Sequence, residues 1–372
     1  MLRKLASRPD WQIALAATAV LRLFYSALVA AFLPFLHLDA RLIQSNALTE
    51  NLPSPQHGVY YALLGIWERF DTLWFLHIAQ YGYDRPMAVI FYPLYPLAIR
   101  IVSWVLPPII AALLVSTVAA FFFFWALLRL AGSELPGTER LRVLLLVLVW
   151  PTSFVLFAGY AESLTLALIV WAVIFAREGR WGPATVCGLI AGLSRPSGVL
   201  VSIPLFVLGL RSRCVASLAV VLAPLGLLSY WGWLRWTGHT SVVEAYRLQQ
   251  GMTLVLPWTG AWKVLRLIAS QGDTLLAVKL GIVILFAAIS LHRQVRFEDK
   301  LFALVVIMQM LMYSGRPLLG AMRYLLLVYP AFMVFGSYTG HLNSKWFSFG
   351  LVALEAANLA WLWGFINWSL VL

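Results

Sequence analysis

Hydrophobic positions in this chain fill whole stretches, and short polar connections separate them. Apolar runs cover residues 11–36, 110–130, 141–159, 161–176, 183–194 with 196–210, 214–234, 274–291, 300–314, 321–340 and 346–370. Backbone inside hydrocarbon must satisfy its own hydrogen bonds, and runs this long and uniformly apolar suit helices rather than barrel strands. The pattern predicts an all-α, polytopic helical membrane protein with about 10–12 transmembrane helices. Residues 1–372 read as one integral-membrane domain. The pair 183–194 and 196–210 is too short for two spans of about 20 residues each. It reads as a bent hairpin broken at Ser194-Arg195-Pro196.

The connections set an orientation. Basic residues gather in short segments on one side if the spans alternate: Arg3, Lys4 and Arg8; Arg129, Arg140 and Arg142; Arg177 and Arg180; Arg211 and Arg213; Arg293, Arg296 and Lys300; and Lys345. The positive-inside rule makes that side, and the N-terminus, cytoplasmic. Two long external loops remain, 37–108 and 235–273. The first carries only Arg41, Arg69, Arg85 and Arg100. The first run is longer than a signal-peptide core and contains Arg22, which favours an uncleaved span. Arg22 and Glu355 fall roughly 14–16 Å from the cytoplasmic side of the first and last spans at about 1.5 Å per residue. Isolated charges at that depth are costly, so the two are expected to pair.

Composition sharpens the class. Hydrophobic residues make up 62% of the chain and charged residues 11%, with a mean hydropathy of +0.85. That is too little charge to cover a water-facing surface, which excludes a soluble enzyme and a disordered chain. The net charge of +12 belongs to cytoplasmic loops beside anionic lipid, and nucleic acid is not an expected partner. Two cysteines, Cys187 and Cys214, are too few for a disulfide framework.

The first external loop departs from an ordinary connection. It reads Trp67-Glu68-Arg69-Phe70-Asp71-Thr72-Leu73-Trp74-Phe75-Leu76-His77-Ile78-Ala79, then Gln80-Tyr81-Gly82-Tyr83, then Phe91-Tyr92-Pro93-Leu94-Tyr95-Pro96. Aromatics at this density belong at a membrane interface or against an apolar substrate. Trp67, Phe70, Trp74 and Ile78 recur at helical spacing and predict one stripe of a helix lying along the membrane surface. Residues 94–106 read as a second such helix. Glu68, Asp71 and His77 are the titratable groups, and an acid held beside aromatics in a partly dry cleft suits general-base work. The plain alternative is an interfacial helix with a satisfied acid.

These residues resemble the first luminal loop of the PIG-V type mannosyltransferases, the family of GPI mannosyltransferase 2, and its compact bacterial relatives. That family carries Arg-aromatic-Asp, aromatic-Leu-x-Ile-Ala, Gly-Tyr and Phe-aromatic-Pro-Leu-Tyr-Pro in order. The same order appears here as Arg69-Phe70-Asp71, Phe75-Leu76-His77-Ile78-Ala79, Gly82-Tyr83 and Phe91 to Pro96. Tyr160-Ala161-Glu162-Ser163 resembles the family's Tyr-x-Glu-Ser. Ser194-Arg195-Pro196-Ser197-Gly198 resembles its Arg-x-x-Gly turn, and Arg323-Tyr324 its late Arg-Tyr. Phe70 stands where the family usually has Trp. An acid that some members place after Gly-Tyr aligns near Pro86, with Asp84 nearby. The resemblance implies a GT-C fold, an external site, a polyprenyl-phosphate sugar donor carrying mannose or another hexose, and an acceptor hydroxyl on a glycolipid or glycoprotein. It also implies Asp71 as the base.

Chemistry agrees with that implication. Displacement from a lipid phosphate needs one base for the acceptor and positive charge for the phosphate, whereas glycoside hydrolysis needs two carboxyls. Arg195 and Arg323 are candidates for that charge. Glu68, Arg69, His77, Tyr92, Glu162 and Tyr324 complete the expected substrate-binding set. Glu162 reads equally as a sugar ligand or as a water-exposed interfacial acid. The histidines are scattered, so no metal or other cofactor is expected. Two competing readings are a secondary transporter or flippase, weakened by the absence of a repeat, and a non-catalytic glycosylation subunit. The expected location is a bacterial plasma membrane.

Overall fold

The computed structural model describes residues 6–36, 48, 58–212 and 214–369. Arg3, Lys4, Arg41 and Arg213, part of the charge pattern above, lie outside those residues. Among the described residues the regular secondary structure is helical, with turns and irregular connections between helices and one isolated bridge, Leu254 to Tyr313. The chain is a polytopic helical membrane protein. Four helical stretches among the described residues are long and apolar enough to cross a membrane: Asp10–Phe35, Pro108–Glu134, Val215–Trp236 and Ser344–Ile366. Ala321–Leu327 with Tyr329–Gly340 makes a fifth if that pair, bent by 78°, is one span.

The other apolar runs fold as shorter or broken helices, and proline explains two of the breaks. The run 141–159 is helical only over Glu139–Leu148, with a tight turn at Ser153–Leu156. Pro151 lacks an N–H and disfavours helical backbone at Trp150. The hairpin breaks where expected: Trp181–Ser194 ends, Arg195 is extended (φ −159°, ψ 156°), and a turn over Pro196–Val201 leads into Ser202–Ser212. The stretch 235–273, expected as a loop, contains helices Val242–Gln250 and Pro257–Gln271.

The chain divides into two compact units. The first comprises Met1–Asp84, Pro93–Ala167 and Thr339–Leu372. Within it Asp10–Phe32 packs along Pro108–Glu134. Asp71–Tyr81 and Leu94–Val102 pack on each other and on Pro108–Glu134. The expected pair of Arg22 and Glu355 does not form. Arg22 donates to the Phe157 carbonyl at 2.7 Å, while Glu355 accepts from Asn358. The first and last helices nevertheless meet, through Asn358 Nδ2 donating to Tyr25 Oη at 2.8 Å. Depth along a helix sets height and not direction, so equal depth placed the helices together and missed the partners.

The second unit comprises Arg85–Tyr92 and Leu168–Tyr338. Trp181–Ser194 lies close against Leu225–Trp236, because a side chain on Gly226 would come within 1.9 Å of the Leu189 carbonyl oxygen. Ser202–Ser212 and Pro257–Gln271 each pack on Phe297–Leu311, and Val242–Gln250 packs on Pro86–Ile90.

Candidate active site

Asp71 is the first residue of helix Asp71–Tyr81, and the backbone before it is unusual. Phe70 has φ 46° and ψ −117°, a left-handed conformation that a bulky side chain rarely adopts. Such a residue carries about 1–3 kcal/mol of strain and persists only when its surroundings hold it. They do so here: the Phe70 ring lies 5.7 Å from that of Phe365 and 5.2 Å from that of Trp368. Arg69 is 1% exposed and turns inward. It donates to the carbonyls of Glu68 and Gly65 at 3.0 and 3.3 Å and to Tyr61 Oη at 2.5 Å, and it stacks on Trp368. The helix stops at Gly82, whose φ of 80° suits glycine alone.

The expected surface stripe is not what the structure shows. Trp67 sits in the preceding turn and Phe70 outside the helix, and Thr72 through Ala79 are all buried. Asp71 stays half-buried at the end of a helix whose next eight residues are enclosed. Glu68 is buried, which pushes its carboxyl up to about 7 against the opposing pull of Arg69. His77 is also buried, and its Nε2 meets Asp84 Oδ1 at 2.6 Å.

A second acid-bearing turn packs on the first. Glu162 is buried and begins helix Glu162–Arg177. Gly159, three residues earlier, touches Thr72 so closely that a Cβ would come within 2.5 Å of Thr72 Cγ2. The Tyr160 carbonyl accepts from Ser116 Oγ at 3.0 Å. Ser116 meets Tyr95 Oη at 2.6 Å, and the Tyr95 ring lies 4.8 Å from that of Phe75 on the Asp71 helix. Arg22 grips the Phe157 carbonyl and lies 5.5 Å over the Trp67 ring. Glu68, Arg69, Asp71, His77 and Glu162 therefore belong to one packed neighbourhood. The buried hydroxyls of Thr72 and Ser163, each following an acid, make no hydrogen bond among the described residues.

Tyr92, Arg195, Arg323 and Tyr324 belong to the second unit. Arg195 Nη2 donates to Tyr324 Oη at 3.2 Å, and its guanidinium lies 5.3 Å over that ring. Two motifs 129 residues apart in sequence thus meet. Arg323 is buried beside Tyr324. Gly198 makes the break compact, since a Cβ there would lie 1.9 Å from the Ala191 carbonyl oxygen. Tyr92 is buried, accepts from Trp231 Nε1 at 2.9 Å and packs on Tyr230.

Comparison with known proteins finds one relationship that bears on these motifs. GPI alpha-1,6-mannosyltransferase 2 of Rattus norvegicus is 31% identical over 223 residues, which cover 55% of this chain and 43% of the relative. The chain is similar to that PIG-V type mannosyltransferase over this stretch. It spans less than half the length of that curated relative. No family model matches, and no solved structure matches.

Some neighbours of these motifs carry no motif signal of their own. Phe365 and Trp368, at the end of the last helix, touch the Asp71 turn only through the fold. Tyr246 and Tyr313, with rings 5.7 Å apart, lie within electrostatic reach of Arg195 and Tyr324. Burial, then the neighbouring phenols, pushes the Tyr246 phenol well above its usual range, so it stays a hydrogen-bond donor. Tyr246 rides on helix Val242–Gln250, where Ser241 caps Glu244 N, a Ser-x-x-Glu signature visible in the sequence. Among the described residues no three His, Cys, Asp or Glu side chains gather as a metal site would require.

Proposed function

We propose that this chain is an integral-membrane glycosyltransferase of GT-C type. It moves a hexose, mannose by family resemblance, from a polyprenyl-phosphate donor to an acceptor hydroxyl on a lipid-linked glycan or protein at the external membrane face. The observation that carries this reading is the coincidence of two things. The family relationship supplies mannosyl transfer, and Asp71 is the half-exposed first residue of a helix whose following eight residues are buried.

The chemistry follows from the groups present. The Asp71 carboxylate accepts the acceptor hydroxyl proton as the hydroxyl oxygen bonds to the anomeric carbon. The bond from that carbon to the phosphate oxygen breaks, and polyprenyl phosphate leaves with both electrons. A phosphate needs no proton to leave; it needs positive charge, which Arg195 and Arg323 offer in a planar fork. The phenols of Tyr92 and Tyr324 and the buried Glu162 are assigned to orienting donor and sugar. Arg69 and Glu68 build the turn that presents Asp71, and His77 with Asp84 secures the far end of its helix. The activity test is transfer of labelled mannose from a polyprenyl-phosphate mannose to glycolipid acceptor by the purified protein in lipid nanodiscs. Labelled product is expected. Transport of the intact donor without product would favour a flippase instead.

A further inference from the structure

Neither the motifs nor the family relationship singles out residues 365–368, yet they touch both acid-bearing turns. Phe365 is completely buried. Its ring lies 6.3 Å from that of Trp67 and 5.7 Å from that of Phe70, on the Asp71 side. It also lies 5.3 Å from Phe154 and 6.1 Å from Tyr160, on the Glu162 side. Trp368 lies 5.2 Å from Phe70 and 4.6 Å from the Arg69 guanidinium. Phe70 and Trp368 both have positive φ, 46° and 61°. Two strained residues thus face each other one position before Asp71. The helix that ends here is itself tied to the first helix by Asn358 to Tyr25 and by Phe32 edge-on to Trp363 at 5.3 Å.

We propose that Phe365 and Trp368 are positioning residues that hold Asp71 in register with the Glu162 turn. The role rests on the reading of Asp71 as base. The conformation of Phe70 is costly for a bulky side chain, and the rings packed on it supply a constraint that holds it. Aromatic rings suit the task, because they are stiff and their edge-to-face and tilted contacts prefer particular angles. Without the Phe365 ring, Phe70 can swing toward ordinary backbone and take the Asp71 carboxylate with it. A displacement of about 1 Å at a reacting group costs on the order of 10²-fold in rate.

The variants are Phe365→Leu, Trp368→Gly and Trp368→Phe. Leucine fills much of the space and removes the ring. Glycine adopts φ 61° without strain, so Trp368→Gly removes a ring and leaves the backbone comfortable. Folding is checked by size exclusion and thermal melting in detergent. On protein folded as well as wild type, Phe365→Leu and Trp368→Gly should lower kcat by about 10- to 100-fold. The donor KM should stay within about twofold, and Trp368→Phe should retain most turnover. A second readout needs no activity: an Asp71→Cys chain with Cys187 and Cys214 changed to serine, labelled by a thiol reagent. Adding Phe365→Leu should change the labelling rate severalfold. An unchanged labelling rate, or a kcat loss that merely tracks the folded fraction, overturns the proposal. A wild type that transfers no sugar overturns the glycosyltransferase reading instead, while the labelling comparison still decides whether Phe365 holds this turn.

Discussion

Asp71 and Arg195 are presented by opposite means. Asp71 follows a strained Phe70 packed against the rings of Phe365 and Trp368 near the end of the described chain, while Trp67 packs on the same Phe365 and Gly159 abuts the neighbouring Thr72. Arg195 sits at a helix break that proline makes and glycine packs, and it donates a hydrogen bond to the Tyr324 phenol. The acid turn is therefore exposed to changes in distant aromatic packing. The arginine break is exposed to backbone crowding. Under the proposed roles, a rigid, crowded support suits Asp71 as a base that meets one proton, and a break suits Arg195 as a cation that follows a phosphate.

Four substitutions break or sharpen this contrast. Gly198→Ala has the largest expected effect. Its methyl would lie 1.9 Å from a backbone oxygen, which cannot rotate away, so overpacking of about 3 kcal/mol or more is expected. Thermal melting and yield in detergent measure it, and a wild-type melting temperature would show that the break is not backbone-limited. Gly159→Ala meets the Thr72 side chain, which can turn, so a loss of about 1–3 kcal/mol is expected together with reduced turnover from the shifted Asp71 helix. Full turnover there would detach the two acid turns. Arg195→Lys replaces a fork by a point charge, and the donor KM should rise roughly tenfold, or about 1.4 kcal/mol, with stability little changed. An unchanged donor KM removes Arg195 from phosphate binding.

The smallest effect concerns Glu68. Burial raises its folded pKa to about 7, against an ordinary value of 4.5. The folded state then holds the proton more tightly than the unfolded one. Its contribution to stability is complete below pH 4.5 and is lost as pH rises through about 7. Glu68→Gln should flatten the fall in melting temperature across that window. Identical slopes in variant and wild type would show that Glu68 titrates normally.

Much of the fold could be read from hydropathy, because lipid leaves helices as the available answer for long apolar runs. The break at Arg195 was legible from Pro196, and the late Arg323-Tyr324 from motif order. Other features were not. The helix Val242–Gln250 lies in a stretch whose hydropathy reads as a loop, although its Ser241-to-Glu244 cap is visible in the sequence. The burial of Thr72 through Ala79 has no signature in the sequence, since aromatic spacing cannot tell a membrane surface from a protein interior. Arg22 found a carbonyl rather than Glu355, because azimuth depends on tertiary packing. The rings of Phe365 and Trp368 carry no local signal, for their meaning comes from residues about 300 positions away.

The central claim is that Asp71 is the base of a sugar transfer. The direct measurement compares wild type with Asp71→Asn, both purified in nanodiscs and both shown to melt alike, for transfer of labelled mannose from polyprenyl-phosphate mannose. Asparagine keeps the shape and cannot take the proton, so a loss of about 10²- to 10⁴-fold in turnover is expected. An Asp71→Asn protein that transfers mannose at near the wild-type rate would contradict the account.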